Sequence, residues 1–142
     1  MSSVIHQAGV IAHRIANGRH EVLLITSRDT RRWIIPKGNI EPGKTAPEAA
    51  LQEAFEEAGV RGILASEIPL GFYTYFKRRT DQPSLPVSVE VFLLEVTEQL
   101  KKWPEKGKRK LRWLPIARAI KKLEEPGVVP LMQRLAELFP ED

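Results

Sequence analysis

The sequence predicts an α/β (α+β) domain in which a few helices pack on a mixed central sheet. Short apolar runs separated by turn-forming residues alternate with amphipathic helical stretches along the chain. The 142 residues fit a single domain, taken as 1–142, and 42% of them are hydrophobic, which is enough for a packed core.

The predicted strands begin with a hairpin. An apolar stretch from Val10 ends at the turn pair Asn17-Gly18, and Glu21–Thr26 follows as the second strand. Proline ends a third short strand at 33–36, and 37–43 is interpreted as a loop. Further strands are predicted at 68–76, 87–96 and 111–114, and late helices at 116–123 and 128–138. Residues 77–84 are interpreted as a basic loop.

The clearest helix follows Thr45, a good N-cap residue, and ends at Gly59. At 100° per residue, Leu51, Phe55 and Ala58 cluster on one side, so we expect that side to pack on the sheet.

Three glutamates of this helix, Glu53, Glu56 and Glu57, fall on the opposite side and lie three or four positions apart. Carboxylates at this spacing repel, which a purely structural helix has little reason to accept. A site for Mg²⁺ or Mn²⁺ needs such oxygen ligands. The alternative is an ordinary solvated acidic face.

Composition limits the function classes. The formal charge of +4 suits a polyanionic ligand but does not by itself imply nucleic acid. The absence of cysteine excludes disulfides, thiolate zinc sites and thiol catalysis. We find no signal peptide and no apolar run long enough for a membrane span, so the expected location is the cytoplasm. The three histidines are isolated, and none is interpreted as catalytic.

The segment from Gly38 to Val60 resembles the Nudix box. That motif begins with a glycine, five residues of any kind, a glutamate and seven further residues. It continues with Arg-Glu, an apolar residue, any residue, Glu-Glu, any residue, a glycine and an apolar residue. Two positions depart from it: Lys44 replaces the first glutamate and Gln52 the arginine. The matching residues are Gly38, Glu53, Ala54, Glu56, Glu57, Gly59 and Val60.

The flanking sequence resembles one branch of that family, the diphosphoinositol polyphosphate and diadenosine polyphosphate phosphohydrolases. The similarity includes residues 31–38 before the box and, after it, 96–98, Trp103, 109–110 and Trp113, running into the helix around 119–120.

The resemblance implies a Nudix-like α/β/α sandwich with a mixed central sheet, and a Mg²⁺- or Mn²⁺-dependent pyrophosphohydrolase. It implies that Glu53, Glu56 and Glu57 are catalytic and bind metal, together with the backbone of Gly38. The general base stays open between one of these three residues and one of three further glutamates outside the box. These are Glu90, Glu98 and Glu105.

Basic residues supply the expected substrate contacts, because arginine binds phosphate in a bidentate manner. If the clusters converge at one end of the sheet, the pocket would suit a small molecule with many phosphates. The candidates are Arg28, Arg31, Arg32, Lys37, Arg78, Arg79, Arg109 and Lys110.

Two other functions fit the same residues. One is a pyrophosphohydrolase of nucleoside triphosphates or capped RNA. The other is a ligand sensor with weak catalysis, because Lys44 adds a cation near the acidic cluster and Gln52 lacks the arginine's charge. We expect retained metal binding and slower turnover. The sequence gives no indication of an oligomeric state or a membrane partner.

Overall fold

A computed structural model describes residues 3–140 of the chain. One eight-stranded sheet runs through it in the order β3-β2-β1-β7-β5, with β4 paired to β1, β6 to β7 and β8 to β2. The strands are β1 (Ile5–Ala16), β2 (Arg19–Thr26), β3 (Trp33–Ile34), β4 (Lys37–Asn39), β5 (Val60–Leu64), β6 (Gly71–Arg79), β7 (Gln82–Gln99) and β8 (Leu111–Pro115). The helices are α1 (Ala46–Ala58), α2 (Ile116–Lys122) and α3 (Val129–Leu138), and a 3₁₀ turn (Pro126–Val128) precedes α3.

The sheet is mixed, as predicted. Strands β1 and β7 pair in parallel, whereas the other pairs, including the predicted β1–β2 hairpin, are antiparallel. The hairpin turns at Asn17 and Gly18, both with positive φ (54° and 75°), as a two-residue turn of this kind requires.

Helices cover both faces of the sheet, so the predicted α/β/α sandwich is confirmed. Successive strand side chains point to opposite faces. In β1, Val10 packs in the cluster under α1, whereas its neighbour Ile11 packs in the cluster under α2 and α3. Among residues 3–140, no helix is long and apolar enough to cross a membrane.

The predicted packing face of α1 is only partly right, because Ala58 is buried but Phe55 is half-buried. Leu51 is exposed, whereas a row of alanines, Ala50, Ala54 and Ala58, lies buried against the sheet. Small side chains allow the helix to approach closely, and this alanine row lies beside the glutamates rather than opposite them. As a result Glu57 is carried into the buried face.

The ends of α1 agree with the sequence. Thr45 and Glu48 form a reciprocal capping box, and Gly59 ends the helix in the left-handed conformation (φ 65°).

Three other segments differ from the prediction. The interpreted loop at 77–84 is a hairpin that joins β6 to β7, with Asp81 in the left-handed conformation at its turn. The short β4 lies within the interpreted loop at 37–43. Strand β5 was not predicted, because Gly62 interrupts its apolar pattern and its pairing with β7 is long-range.

The β1–β2 hairpin brings into contact the side chains of two histidines that are isolated in sequence. His13 Nδ1 lies 2.8 Å from His20 Nε2, and both rings contact Phe139. Burial, reinforced by the charge of His20 and opposed by Glu95, lowers the pKa of His13 from 6.5 to about 4. The folded state therefore binds fewer protons at His13 than the unfolded chain between these two values.

This difference predicts a loss of stability as pH falls from 6.5 towards 4. Between pH 7 and pH 5 the contribution of His13 to the free energy of unfolding should fall by about 2 kcal/mol. Urea unfolding of wild type and His13→Gln at both pH values measures the difference. Identical pH dependence in the two proteins would contradict the prediction.

Candidate functional site

Two acidic side chains of α1 lie directly against β4. The carboxyl group of Glu53 occupies the space that a Cβ on residue 38 would fill, so only glycine fits there without displacing Glu53. The amide of Lys37 donates a hydrogen bond to Glu57 Oε1 (3.1 Å). Strand β4 therefore brings a glycine and a backbone donor against two neighbouring carboxyl groups.

Their surroundings disfavour ionisation of both carboxyl groups. Burial raises the pKa of Glu57 to about 8, against the opposing charge of Arg109 and with the charge of Glu53 adding to the rise. Burial also raises the pKa of Glu53, with the charges of Glu56 and Glu105 acting in the same direction. A bound cation would favour the ionised form of both carboxyl groups.

Glu56 is directed differently from this pair. Its Oε2 accepts a hydrogen bond from Gln52 Nε2 (2.8 Å). Within the described range 3–140, no three acidic or histidine side chains come close enough to form a complete metal site. The structure thus brings Glu53 and Glu57 together and leaves Glu56 bound to Gln52, the residue that replaces the arginine of the box.

Arg109 links the pair to the segment between β7 and β8. Its Nη2 lies 3.4 Å from Glu57 Oε2, and its Nε lies 3.1 Å from Glu105 Oε1. The amide of Glu105 donates to the carbonyl of Glu56 (3.0 Å), which fixes this segment on the end of α1. Among the three candidate bases, Glu105 is the one that touches the cluster. Glu98 is exposed and pairs across the sheet with Arg61, and Glu90 lies on β7 opposite Phe72.

A groove of about 990 Å³ opens beside Glu57. Five of the predicted basic residues line it, together with Lys77, Tyr73 and Tyr75. The lining cations are Arg28, Arg32, Lys37, Lys77, Arg78 and Arg109.

The other predicted substrate contacts lie elsewhere. Arg31, Arg79 and Lys110 are exposed and do not line the groove. The guanidinium of Arg79 instead donates to the carbonyl of Pro83 within its own hairpin. The predicted basic residues therefore converge on the groove only in part.

Lys44 lies at the exposed turn before α1. Hydrogen bonds with Thr45, and to a smaller extent the charge of Lys44, lower the pKa of Glu48.

Sequence reasoning missed Glu125. Its Oε2 lies 2.8 Å from Lys37 Nζ and accepts a hydrogen bond from the hydroxyl of Tyr73 (2.7 Å). Its Oε1 accepts from the amide of Ile35 (2.8 Å). Nothing in its local sequence indicates this role, because its partners lie some 50 to 90 residues away along the chain.

Comparison with known proteins identifies the family of the chain. The family model described as NUDIX domain matches residues 5–135, nearly the whole chain. The chain belongs to the NUDIX family.

Named NUDIX relatives are similar over most of this chain. Nudix hydrolase 12, mitochondrial, of Arabidopsis thaliana is 40% identical over 103 residues, which are 70% of this chain and 50% of that protein. Diphosphoinositol polyphosphate phosphohydrolase 3-alpha of Mus musculus is 38% identical over 107 residues, 73% of this chain and 60% of that protein. The chain thus spans about half to three-fifths of the length of these relatives.

Solved structures share the NUDIX fold at lower sequence identity. The C. elegans Ap4A hydrolase has a TM-score of 0.69 at 21% identity and covers 96% of this chain and 98% of its own. A NUDIX hydrolase from Nitrosomonas europaea has a TM-score of 0.72 at 16% identity and covers 95% and 90%. These likenesses establish the fold.

Proposed function

We propose that this NUDIX domain is a pyrophosphohydrolase that cleaves a phosphoanhydride bond in a diphosphoinositol polyphosphate or a diadenosine polyphosphate. The observation that carries the proposal is the adjacent carboxyl groups of Glu53 and Glu57, of which Glu57 is buried and lines a groove whose six cationic side chains outnumber its four acidic ones. Such a groove suits a chain of phosphates. The names of the mouse relative and of the C. elegans structure support this substrate class.

The donor set fits Mg²⁺ or Mn²⁺. Glu53 and Glu57 would hold the cation beside Gly38, and Glu56 would join them by releasing Gln52. A bound cation neutralises phosphate charge and lowers the pKa of a bound water. In this proposal Glu53, Glu56 and Glu57 are the catalytic carboxylates, and the β4 backbone orients them.

Glu105 is our candidate for the general base. It reaches the cluster through Arg109, whose guanidinium holds both Glu105 and Glu57. A base must lie within hydrogen-bond reach of the water that it activates. Of the three candidates, Glu105 is the one whose charge raises the pKa of both Glu53 and Glu57.

The groove cations would bind the phosphates. Arg28, Arg32 and Arg78 line the groove, and each can offer two donors to a phosphate. Arg109 also lines it, but its three nitrogens already contact Glu57, Glu105 and the Thr26 carbonyl, so it would act mainly through its charge. The ammonium group of Lys37 stays held by Glu125 and has two further donors for a phosphate. Arg31, Arg79 and Lys110 stay predicted contacts for a substrate long enough to reach beyond the groove. Comparing the binding of long and short substrates would test them.

A substrate panel tests the function. We expect phosphate release, with Mg²⁺ or Mn²⁺, from diphosphoinositols or diadenosine polyphosphates rather than from nucleoside triphosphates or capped RNA. Because exposed cations bind the substrate, KM should rise several-fold between low and moderate salt. Turnover confined to triphosphates or capped RNA would refute the substrate assignment, and a constant KM would refute the role of the groove.

A catalytically weak sensor is the second candidate, because Gln52 holds Glu56 where the Nudix box has an arginine. Binding of panel compounds without turnover would establish it. A cytoplasmic location also remains a prediction, which fractionation of cells that express the protein would test.

A further inference from the structure

Glu125 fastens the segment that leads into β4. Its side chain is only 11% exposed, and it lies between α2 and the 3₁₀ turn. Three donors from two parts of the chain, the Ile35 amide, the Tyr73 hydroxyl and the Lys37 ammonium group, engage its two carboxylate oxygens. A charged group held by a cation and two further donors at low exposure is fixed in place.

The residues that Glu125 holds lead directly to the acidic pair. Ile35 is fixed by Glu125, the Pro36 carbonyl by the Val10 amide (3.0 Å), and the Lys37 amide by Glu57 (3.1 Å). The next residue, Gly38, contacts Glu53. A displacement of Ile35 would therefore be passed through only three residues of backbone, Pro36, Lys37 and Gly38, to the carboxyl groups of Glu53 and Glu57.

Both carboxylate oxygens of Glu125 already accept from other residues. Although it lines the groove, Oε1 is occupied by Ile35 and Oε2 by Lys37 and Tyr73. Tyr73 is almost fully buried, so this bond also fixes Glu125 to the centre of β6. These contacts suit a residue that acts through its neighbours rather than on the substrate.

We infer that Glu125 is a positioning residue for the proposed hydrolysis, because it holds Ile35 and Lys37 where the β4 backbone meets Glu53 and Glu57. The inference rests on the proposed function for its kinetic part. It predicts that loss of Glu125 weakens metal binding and lowers kcat, while KM for the substrate changes little.

Three variants test this role. Glu125→Ala removes all three contacts, Glu125→Gln keeps an acceptor for Ile35 without the charge that holds Lys37, and Tyr73→Phe removes one contact. We expect kcat to fall by about tenfold or more in Glu125→Ala and by less in the other two, with KM within about threefold of wild type. Titration of the protein alone with Mn²⁺, followed by electron paramagnetic resonance, should show a higher Kd in the same order.

The matched control is Glu137→Gln, which removes an exposed carboxylate on α3 and should keep wild-type kcat and Mn²⁺ affinity. Wild-type kcat and Kd in Glu125→Gln and Tyr73→Phe would overturn the inference, whether or not Glu125→Ala folds. A loss of activity that only follows the unfolded fraction, measured by circular dichroism, would also overturn it. If the wild type hydrolyses nothing in the panel, the proposed function fails, but the Mn²⁺ titrations still decide the role of Glu125.

Discussion

Replacing Glu57 with glutamine should lower kcat by about a hundredfold or more and leave the domain folded. Glutamine keeps the shape of the side chain and an acceptor for the Lys37 amide, but it cannot supply the charge that a divalent cation requires. The folded state already resists ionisation of Glu57, whose pKa is raised to about 8 by burial. The free energy of unfolding at neutral pH should therefore stay the same or increase.

Steady-state kinetics and urea unfolding of Glu57→Gln measure the two halves of this prediction. Glu48→Gln is a suitable control, because Glu48 is exposed on the same helix and serves only the capping box. It should lose some stability and keep its activity. Near-normal turnover in Glu57→Gln would refute the metal assignment of this residue.

Replacing Gly38 with alanine should have the second largest effect. The new methyl group would occupy the position of the Glu53 carboxyl group, which lies at the end of a flexible side chain and can turn away. We therefore expect little change in the melting temperature. Because Glu53 would leave the pair, kcat should fall by about tenfold or more and the Kd for Mn²⁺ should rise.

Gly18→Ala is the control, because it should lower stability without changing activity. Gly18 lies in the β1–β2 turn with a positive φ of 75° and no atom near its would-be Cβ, so alanine costs about 1 kcal/mol of stability. Activity should be unchanged. The close approach of Gly38 to Glu53 has no functional role if Gly38→Ala keeps full activity. The same conclusion follows if its loss of activity only accompanies a loss of stability like that of Gly18→Ala.

The sequence predicted the local parts of the site. Glu53, Glu57 and Gly59 belong to one helix and its cap, so their relative positions follow from helical geometry. Gly38 entered through the resemblance to the Nudix box, and the structure places it against Glu53. The packing face of α1 was misassigned because the apolar signal of Leu51 outweighs that of the alanines that carry the contact.

The long-range parts could not be predicted. Glu125 reaches Ile35 across 90 positions, and Arg109 reaches Glu57 across 52. No local sequence pattern specifies which charged side chains form ion pairs or hydrogen bonds with one another in the fold. Arg31 shows the same limit, because it lies beside Arg32 in sequence, yet it adopts a positive φ of 55° and does not line the groove.

Direct Mn²⁺ binding to the wild type and to a Glu53→Gln, Glu57→Gln double variant tests the central claim most directly. If the carboxyl groups of Glu53 and Glu57 hold the cation, the wild type should take up Mn²⁺ and the double variant should bind it at least about a hundredfold more weakly. Equal uptake by the two proteins, or no uptake by the wild type, would contradict the account.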